Sequence, residues 1–248
     1  MSAELSVASE RTRAIPIVAL DVPSAEAALS LARTLGGRCR FYKVGSELFT
    51  ATGPAIVRAL RDELGADVFL DLKFHDIPNT VAGAVRSAAR LGVRLLTVHA
   101  SGGLPMLAAA RSAAHEAGGE QCGVLAVTAL TSLNAEVLAR AWGRTDALDI
   151  QAEVLRLAAL AAQAELHGIV CSGAEVGAVR ERFGDRLAPL VPGIRLTGGE
   201  AHDQQRVMTP SAAQAAGARY VILGRAVTAA PDPAAAMNRV LEELRSEH

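Results

Sequence analysis

Short apolar runs alternate with alanine-rich amphipathic segments along this sequence, at a spacing of about thirty residues that is typical of βα units around a parallel sheet. Eight runs of each kind can be traced. The apolar runs predict strands over residues 15–20, 40–44, 68–72, 94–98, 123–127, 168–171, 188–191 and 220–223. The amphipathic segments predict helices over residues 24–35, 53–64, 80–91, 104–117, 148–166, 174–183, 211–216 and 233–245.

Eight βα units fit either a closed (β/α)8 TIM barrel or a doubly wound open sheet, because a strand count alone does not prove closure. The polar residues favour the barrel. They stand at the ends of the first four predicted strands and of the eighth, at Asp21, Lys43, Asp71 with Lys73, His99, and Gly224 with Arg225. Side chains from these five strands converge most easily on a closed ring, so we expect a single-domain α/β protein with a TIM barrel.

Length and composition agree with one barrel domain over residues 15–248, since the chain has 248 residues and half of them are hydrophobic. Residues 1–14 are polar, carry Glu4 and Glu10, and lack the order of a secretory signal. We expect a flexible N-terminal tail and a cytoplasmic location.

The net charge, the apolar runs and the cysteines limit which binding partners and metal sites the sequence predicts. The formal net charge is −1, so no overall field favours nucleic acid or an anionic membrane, and no apolar run approaches the roughly 20 residues of a membrane-spanning helix. Cys39, Cys122 and Cys171 lie in or beside apolar runs, which predicts buried thiols. No CxxC or HExxH motif occurs, so the sequence predicts no metal site.

Alternation along the predicted strands brings ionisable groups together in the barrel mouth. Phe69, Asp71 and Lys73 share one face of the third strand. The same parity turns Asp21 and Lys43 inward. Alternating signs would let these groups share a cavity, either as a structural salt-bridge network or as a catalytic array. Asp76 favours catalysis, because it adds a second carboxylate on the loop after the strand.

The segment around these residues resembles the signature of the orotidine 5'-phosphate decarboxylase family. It is the run at 71–80, DLKFHDIPNT. The resemblance extends from about Ile15 to the C-terminal helix, through the segments 19–21 (ALD), 43–45 (KVG), 98–103 (VHASGG), 127–132 (VTALTS), 192–195 (PGIR) and 224–225 (GR).

The resemblance implies a lyase that converts orotidine 5'-monophosphate to UMP and CO2, the last step of pyrimidine nucleotide synthesis, without a cofactor. It assigns Lys73 to carbanion stabilisation and proton donation, and it places Asp71 near the departing carboxylate. Lys43 and Asp76 complete the charged array. The resemblance also implies that Asp21 and Lys43 bind ribose hydroxyls. It further implies a homodimer with shared active sites, in which Asp76 and Thr80 reach into the site of the neighbouring subunit.

A phosphate site can be read from the residues themselves. The glycine-rich segment 192–200 follows the seventh strand and Gly224-Arg225 follows the eighth, where barrels commonly hold phosphate. The resemblance assigns phosphate contacts to Gln204, Arg225 and the backbone of Gly224, supported by Arg195, and places Thr131 and Ser132 near the pyrimidine. We expect the segment 195–206 to close over the bound phosphate.

Two other functions remain open. One is a metal-dependent sugar-phosphate decarboxylase or hexulose-phosphate synthase of the same barrel type, against which the continuation at 74–80 argues. The other is a non-catalytic nucleotide-binding barrel, which has no evident use for the charged array. His75 and His99 are expected to have structural roles, because nothing pairs them with a nucleophile.

Overall fold

Eight parallel strands close into a barrel in the computed structural model, which describes residues 13–146, 148–196 and 208–246. Each strand pairs with the next along the chain, and β1 pairs with β8. The strands are β1 (Ile15–Ala19), β2 (Phe41–Gly45), β3 (Asp67–Phe74), β4 (Leu95–His99), β5 (Gly123–Val127), β6 (Gly168–Val170), β7 (Ala188–Val191) and β8 (Tyr220–Leu223). Closure confirms the predicted (β/α)8 barrel and excludes the open sheet.

Helices surround the barrel in the described part of the chain. They are α1 (Ala25–Leu35), α2 (Ser46–Thr52), α3 (Ala55–Arg58), α4 (Pro78–Arg90), α5 (Gly103–Gly118), α6 (Ala135–Ala141), α7 (Ile150–Gln163), α8 (Val176–Phe183), α9 (Pro210–Ala216), α10 (Arg225–Thr228) and α11 (Pro233–Arg245). Within the described residues, no helix is long and apolar enough to cross a membrane.

The largest departure from the predicted helices lies between β2 and β3. The sequence predicts one helix over 53–64, but the chain forms α2, then α3, and then a π-helical segment, Ala59–Glu63. Gly53 adopts a positive φ of 61° and ends α2, because a left-handed residue cannot continue a right-handed helix. The sequence also predicts no helix at the short α6 and α10.

Side-chain caps explain where several helices begin. Ser24, Asn134, Asp149, Thr209 and Asp232 each precede a helix and accept a hydrogen bond from the backbone N–H three residues later. Such bonds satisfy donors that the first turn leaves unpaired, and each typically stabilises the helix by about 1 kcal/mol.

The core forms two layers, as the alternation of the strands requires. The inward layer fills the barrel with apolar side chains from Ile17, Ala19, Phe41, Phe69, Leu95, Leu125, Leu190, Tyr220 and Ile222. The outward side chains pack under the helices. The three cysteines are buried as predicted, and burial raises the pKa of the Cys122 thiol to about 11. The barrel is therefore solid below its mouth, and space for a ligand is left at its upper end.

Candidate active site

The end of β3 departs from regular pairing where the charged residues stand. Leu70 pairs with Leu96 and Phe74 with Val98, so three residues of β3 lie opposite Thr97 alone. Lys73 takes a left-handed φ of 51° in this bulge. That backbone conformation costs a residue with a side chain on the order of 1–2 kcal/mol, so surrounding contacts must stabilise it.

Four ionisable side chains form a chain of alternating charge across β1, β2 and β3. Lys43 Nζ lies 2.7 Å from Asp21 Oδ1 and 4.0 Å from Asp71 Oδ2, and Lys73 Nζ lies 2.8 Å from Asp71 Oδ2. The side chains of Lys43 and Asp71 are only 11% and 14% exposed, whereas that of Lys73 is 37% exposed. The two inner charges offset each other's loss of hydration, and the Lys73 amine remains accessible.

Gly45 leaves room for the outer ion pair. A Cβ added at this position would lie 3.0 Å from Lys43 Nζ and 3.2 Å from Asp21 Oδ1. Any larger residue would crowd the pair, so the glycine at the end of β2 is matched to the neighbouring charges.

The chain contains only two lysines, at positions 43 and 73, and both belong to this cluster. All other cationic side chains apart from histidine are arginines. A lysine ammonium is compact and can release its proton, whereas an arginine guanidinium stays charged. Lysine is therefore confined to the one place where proton transfer is expected.

A cavity of about 350 Å³ opens at the carboxyl ends of the strands, above the charged cluster. It is lined by eight of the residues predicted from the sequence, Asp21, Lys43, Asp71, Lys73, Thr131, Arg195, Gly224 and Arg225. Apolar side chains such as Val127, Val170 and Ile222 form other parts of the wall. The cavity combines a charged side, an apolar surface and two arginines, and its volume suits a small ligand.

Three other predicted residues, Asp76, Thr80 and Ser132, do not line the cavity. Asp76 and Thr80 are exposed on the segment after β3, and Asp76 Oδ1 accepts a hydrogen bond from the N–H of Ile77 at 2.6 Å. The N-cap of α4 is Ile77, so Asp76 does not cap this helix with its side chain. Ser132 is also exposed, and Gln204 lies outside the described residues, as does most of the segment 195–206.

The part of the cavity wall that contains Arg195 and Arg225, here called the arginine side, has features that suit an anion. Arg195 follows the isolated bridge between Ile194 and Met208, and its Nε is buried without a hydrogen-bond partner in the described chain. A buried donor without a partner is unfavourable unless a ligand or water satisfies it. Gly224 precedes Arg225, and a Cβ added at this position would meet no atom of the described residues within 4 Å, so there is room for a ligand on this side of the glycine.

Two histidines, His75 and His99, adjoin the cluster. The rings of His75 and His99 lie 5.3 Å apart. Burial lowers the pKa of His99, and the neighbouring His75 and Lys73 lower it further. Asp71 opposes this shift, but the net lowering of the pKa favours the neutral imidazole, which agrees with a structural role next to the ammonium.

Thr97 is the residue that the sequence reasoning missed. It is fully buried beneath the cluster, donates a hydrogen bond to Asp71 Oδ1 at 2.9 Å, and accepts one from the N–H of Lys73 at 2.9 Å. Its position could have revealed it, because Thr97 is a polar residue at the centre of β4, between the apolar residues Leu96 and Val98.

The fold and the site together define a barrel enzyme with an electrostatic active site, because charged groups from several strands meet at the carboxyl ends. A family model described as "Orotidine 5'-phosphate decarboxylase / HUMPS family" matches residues 15–240. The chain belongs to this family.

Individual relatives support the same assignment. An orotidine 5'-phosphate decarboxylase from Sodalis glossinidius is 46% identical over 99% of this chain and 96% of its own length. One from Pseudomonas syringae pv. tomato is 48% identical over 92% and 96%, respectively. A crystal structure of orotidine 5'-phosphate decarboxylase from Lactobacillus acidophilus superposes with a TM-score of 0.81 at 35% identity, covering 95% of this chain and all of that chain.

Proposed function

We propose that this protein decarboxylates orotidine 5'-monophosphate to UMP and CO2 in pyrimidine nucleotide synthesis. The observation that carries the proposal is the Lys73–Asp71 ion pair of 2.8 Å in a cavity that also holds Arg195 and Arg225. Family membership and the names of relatives at 46–48% identity supply the substrate. The three cysteines are free thiols, which supports a location in the reducing cytoplasm.

The reaction asks for electrostatic stabilisation. When the bond between C6 and the carboxylate breaks, its electron pair stays on C6 in the plane of the ring, where the π system cannot delocalise it. A fixed ammonium directed at C6 stabilises that developing charge without reorganisation during the reaction. Lys73 then transfers a proton to C6 and regains one from solvent, which completes the exchange of CO2 for hydrogen.

The neighbours of Lys73 prepare it for this task. Asp71 holds the ammonium by one oxygen, and Lys43 lies 4.0 Å from that same oxygen, so the negative charge of Asp71 is shared. A substrate carboxylate placed beside Asp71 would be repelled until it leaves as neutral CO2. In this proposal, ribose hydroxyls are bound by the pair of Asp21 and Lys43, whose charged atoms lie 2.7 Å apart at the other end of the charged chain from Lys73.

The arginine side provides the phosphate site of this proposal. Arg225 offers a bidentate guanidinium, the open backbone of Gly224 permits close approach, and the unpaired Nε of Arg195 supplies a further donor. Gln204 and closure of the segment 195–206 over the phosphate belong to the same proposal. Thr131 lines the cavity. In this proposal Thr131 and Ser132 lie near the pyrimidine of the bound substrate.

The direct test is the fall in absorbance of orotidine 5'-monophosphate after addition of the purified protein, without metal or cofactor. We expect complete conversion to UMP, and unchanged activity in EDTA, because no group of three or more metal-binding side chains occurs among the described residues. A sugar-phosphate substrate serves as the comparison. Loss of activity in EDTA, or turnover of the sugar phosphate alone, would favour the metal-dependent relatives.

We also propose a homodimer in which each active site receives Asp76 and Thr80 from the neighbouring subunit. Both residues are exposed here, and Ile77 between them is 66% exposed, which is unusual for a large apolar side chain unless another surface covers it. The segment starts beside Lys73, so a partner docked there would stand near the cavity. Shared sites would then follow from the two-fold symmetry of a dimer.

Mixing inactive subunits tests the shared site. We expect Lys73→Ala and Asp76→Asn to be nearly inactive alone, and to regain about a quarter of wild-type specific activity after joint refolding. Half of the statistical dimers are mixed, and one of their two sites contains both native residues. The measurement is turnover at equal total protein.

The control for this experiment pairs Lys73→Ala with Asp71→Asn. These residues come from the same subunit, so every site in the mixed dimer lacks one of them and activity should not recover. Equal recovery in both mixtures, or a monomeric protein by sedimentation, would contradict shared sites.

A further inference from the structure

Thr97 lies on the inward face of β4 and is fully buried beneath the charged cluster. Alternation places it on the same face as Leu95, and it is in register with Leu125, another residue of the apolar inner layer. A hydroxyl at such a position is unfavourable unless its hydrogen bonds are made. Thr97 makes them, and its partners are the two residues at the centre of the proposed reaction.

The two hydrogen bonds of Thr97 hold different parts of the ion pair. Its hydroxyl donates to Asp71 Oδ1 at 2.9 Å and accepts from the Lys73 N–H at 2.9 Å. These directions are fixed, because a backbone N–H can only donate and a carboxylate can only accept. The other oxygen of Asp71, Oδ2, accepts from Lys73 Nζ at 2.8 Å. These contacts form a closed ring that links the Thr97 hydroxyl, the Asp71 carboxylate, and the backbone N–H and side-chain Nζ of Lys73.

The backbone around Lys73 explains why such support is needed. Asp71, Leu72 and Lys73 stand opposite Thr97 alone, so regular strand pairing is interrupted at the place where Lys73 takes its positive φ. On its other side, Thr97 is in register with Leu125 of β5. The Thr97 hydroxyl therefore belongs to β4, which pairs regularly with β5, and it can hold the irregular end of β3 in place.

We propose that Thr97 is a positioning residue, which holds Lys73 in its left-handed bulge and orients the Asp71 carboxylate before substrate arrives. The proposal rests on the decarboxylase function proposed above. Thr97 does not line the cavity, so it acts through Asp71 and Lys73 and not by touching substrate. Preorganisation of this kind matters because electrostatic catalysis depends on charges that are already in place.

The test compares Thr97→Val, which keeps the shape and removes the hydroxyl, with Thr97→Ser, which keeps the hydroxyl. We expect Thr97→Val to lower kcat by about 10- to 100-fold, the range set by losing a hydrogen bond to a charged group. The KM should change by less than about threefold, because no cavity contact is lost. Thr97→Ser should restore kcat to within about threefold of wild type.

Thr128→Val is the matched control. Thr128 is also buried, and its hydroxyl donates to the carbonyl of Val170 at 2.7 Å, but it does not line the cavity or contact the charged cluster. It should lose thermal stability with kcat unchanged. If Thr97→Val matches this control in kcat, or if Thr97→Ser does not restore kcat, the positioning role is wrong.

Amide hydrogen exchange at Lys73 tests the same contact without turnover. We expect exchange at least about tenfold faster in Thr97→Val and near the wild-type rate in Thr97→Ser, because the amide loses its acceptor only in the valine variant. Unchanged exchange in Thr97→Val would overturn the proposal. If wild type does not decarboxylate the substrate, the proposed function fails while this measurement still decides the role of Thr97.

A further variant covers the case in which Thr97→Val does not fold. Thr97→Cys keeps a side chain of similar size with a weaker donor and acceptor. Its kcat and its Lys73 exchange rate should therefore lie between the wild-type values and the values expected for Thr97→Val. Wild-type values for both quantities in Thr97→Cys would contradict the proposal.

Discussion

Replacing Lys73 with alanine is expected to lower kcat by at least about 10,000-fold, because the substitution removes both the proposed proton donor and the charge proposed to stabilise the carbanion. The Lys73 side chain is the more exposed of the two lysine side chains in the cluster and lines the cavity. UMP should still bind, since the arginine side and the Asp21–Lys43 pair remain. Single-turnover kinetics and calorimetry with UMP measure the two effects separately.

Lys73→Arg is the matched variant for this prediction. It keeps a positive charge but does not release a proton at neutral pH, so it should also be inactive if proton transfer is essential. Circular dichroism and thermal unfolding establish that both variants fold. Retention of more than about one hundredth of the wild-type kcat by Lys73→Ala would refute the assigned proton donor, since general acid catalysis alone contributes about 100-fold or more.

Replacing Arg225 with alanine is expected to lower kcat/KM for orotidine 5'-monophosphate by about 100- to 1,000-fold, because the proposed bidentate, charge-assisted contact to phosphate is lost. The nucleoside orotidine carries no phosphate, so the same substitution should leave its slow turnover unchanged. Binding energy from the phosphate would otherwise raise the rate of chemistry at C6. The measurement is kcat/KM for both substrates in wild type and variant.

Arg186→Ala is the control for the arginine substitution. Arg186 stacks 5.8 Å from the ring centroid of Phe183 and does not line the active-site cavity. Its removal should leave both kcat/KM values unchanged. An equal loss for nucleotide and nucleoside in Arg225→Ala would show that Arg225 does not act through phosphate, and equal saturated rates for the two wild-type reactions would remove the role of the phosphate altogether.

The sequence by itself determined most of the fold and the identity of the charged cluster. Three of the eight strands begin and end where the apolar runs predicted, and the other five differ by one or two residues at their ends. Strand parity placed Asp21, Lys43 and Asp71 on the inward face, where they are found, because side-chain direction in a strand has a period of two. The run at 71–80 indicated the family, which the family model confirms.

Tertiary structure alone decided how these residues meet. Closure of the sheet depends on the pairing of β1 with β8, the first and last strands of the chain, and no local sequence pattern encodes this contact. The left-handed Lys73 arises where β3 loses register against β4, and its stabilisation by Thr97 joins residues 24 positions apart. Asp76, adjacent in sequence to the cluster, stands exposed outside the cavity. Sequence periodicity sets which face a side chain takes, whereas distances between strands are set only when the whole barrel packs.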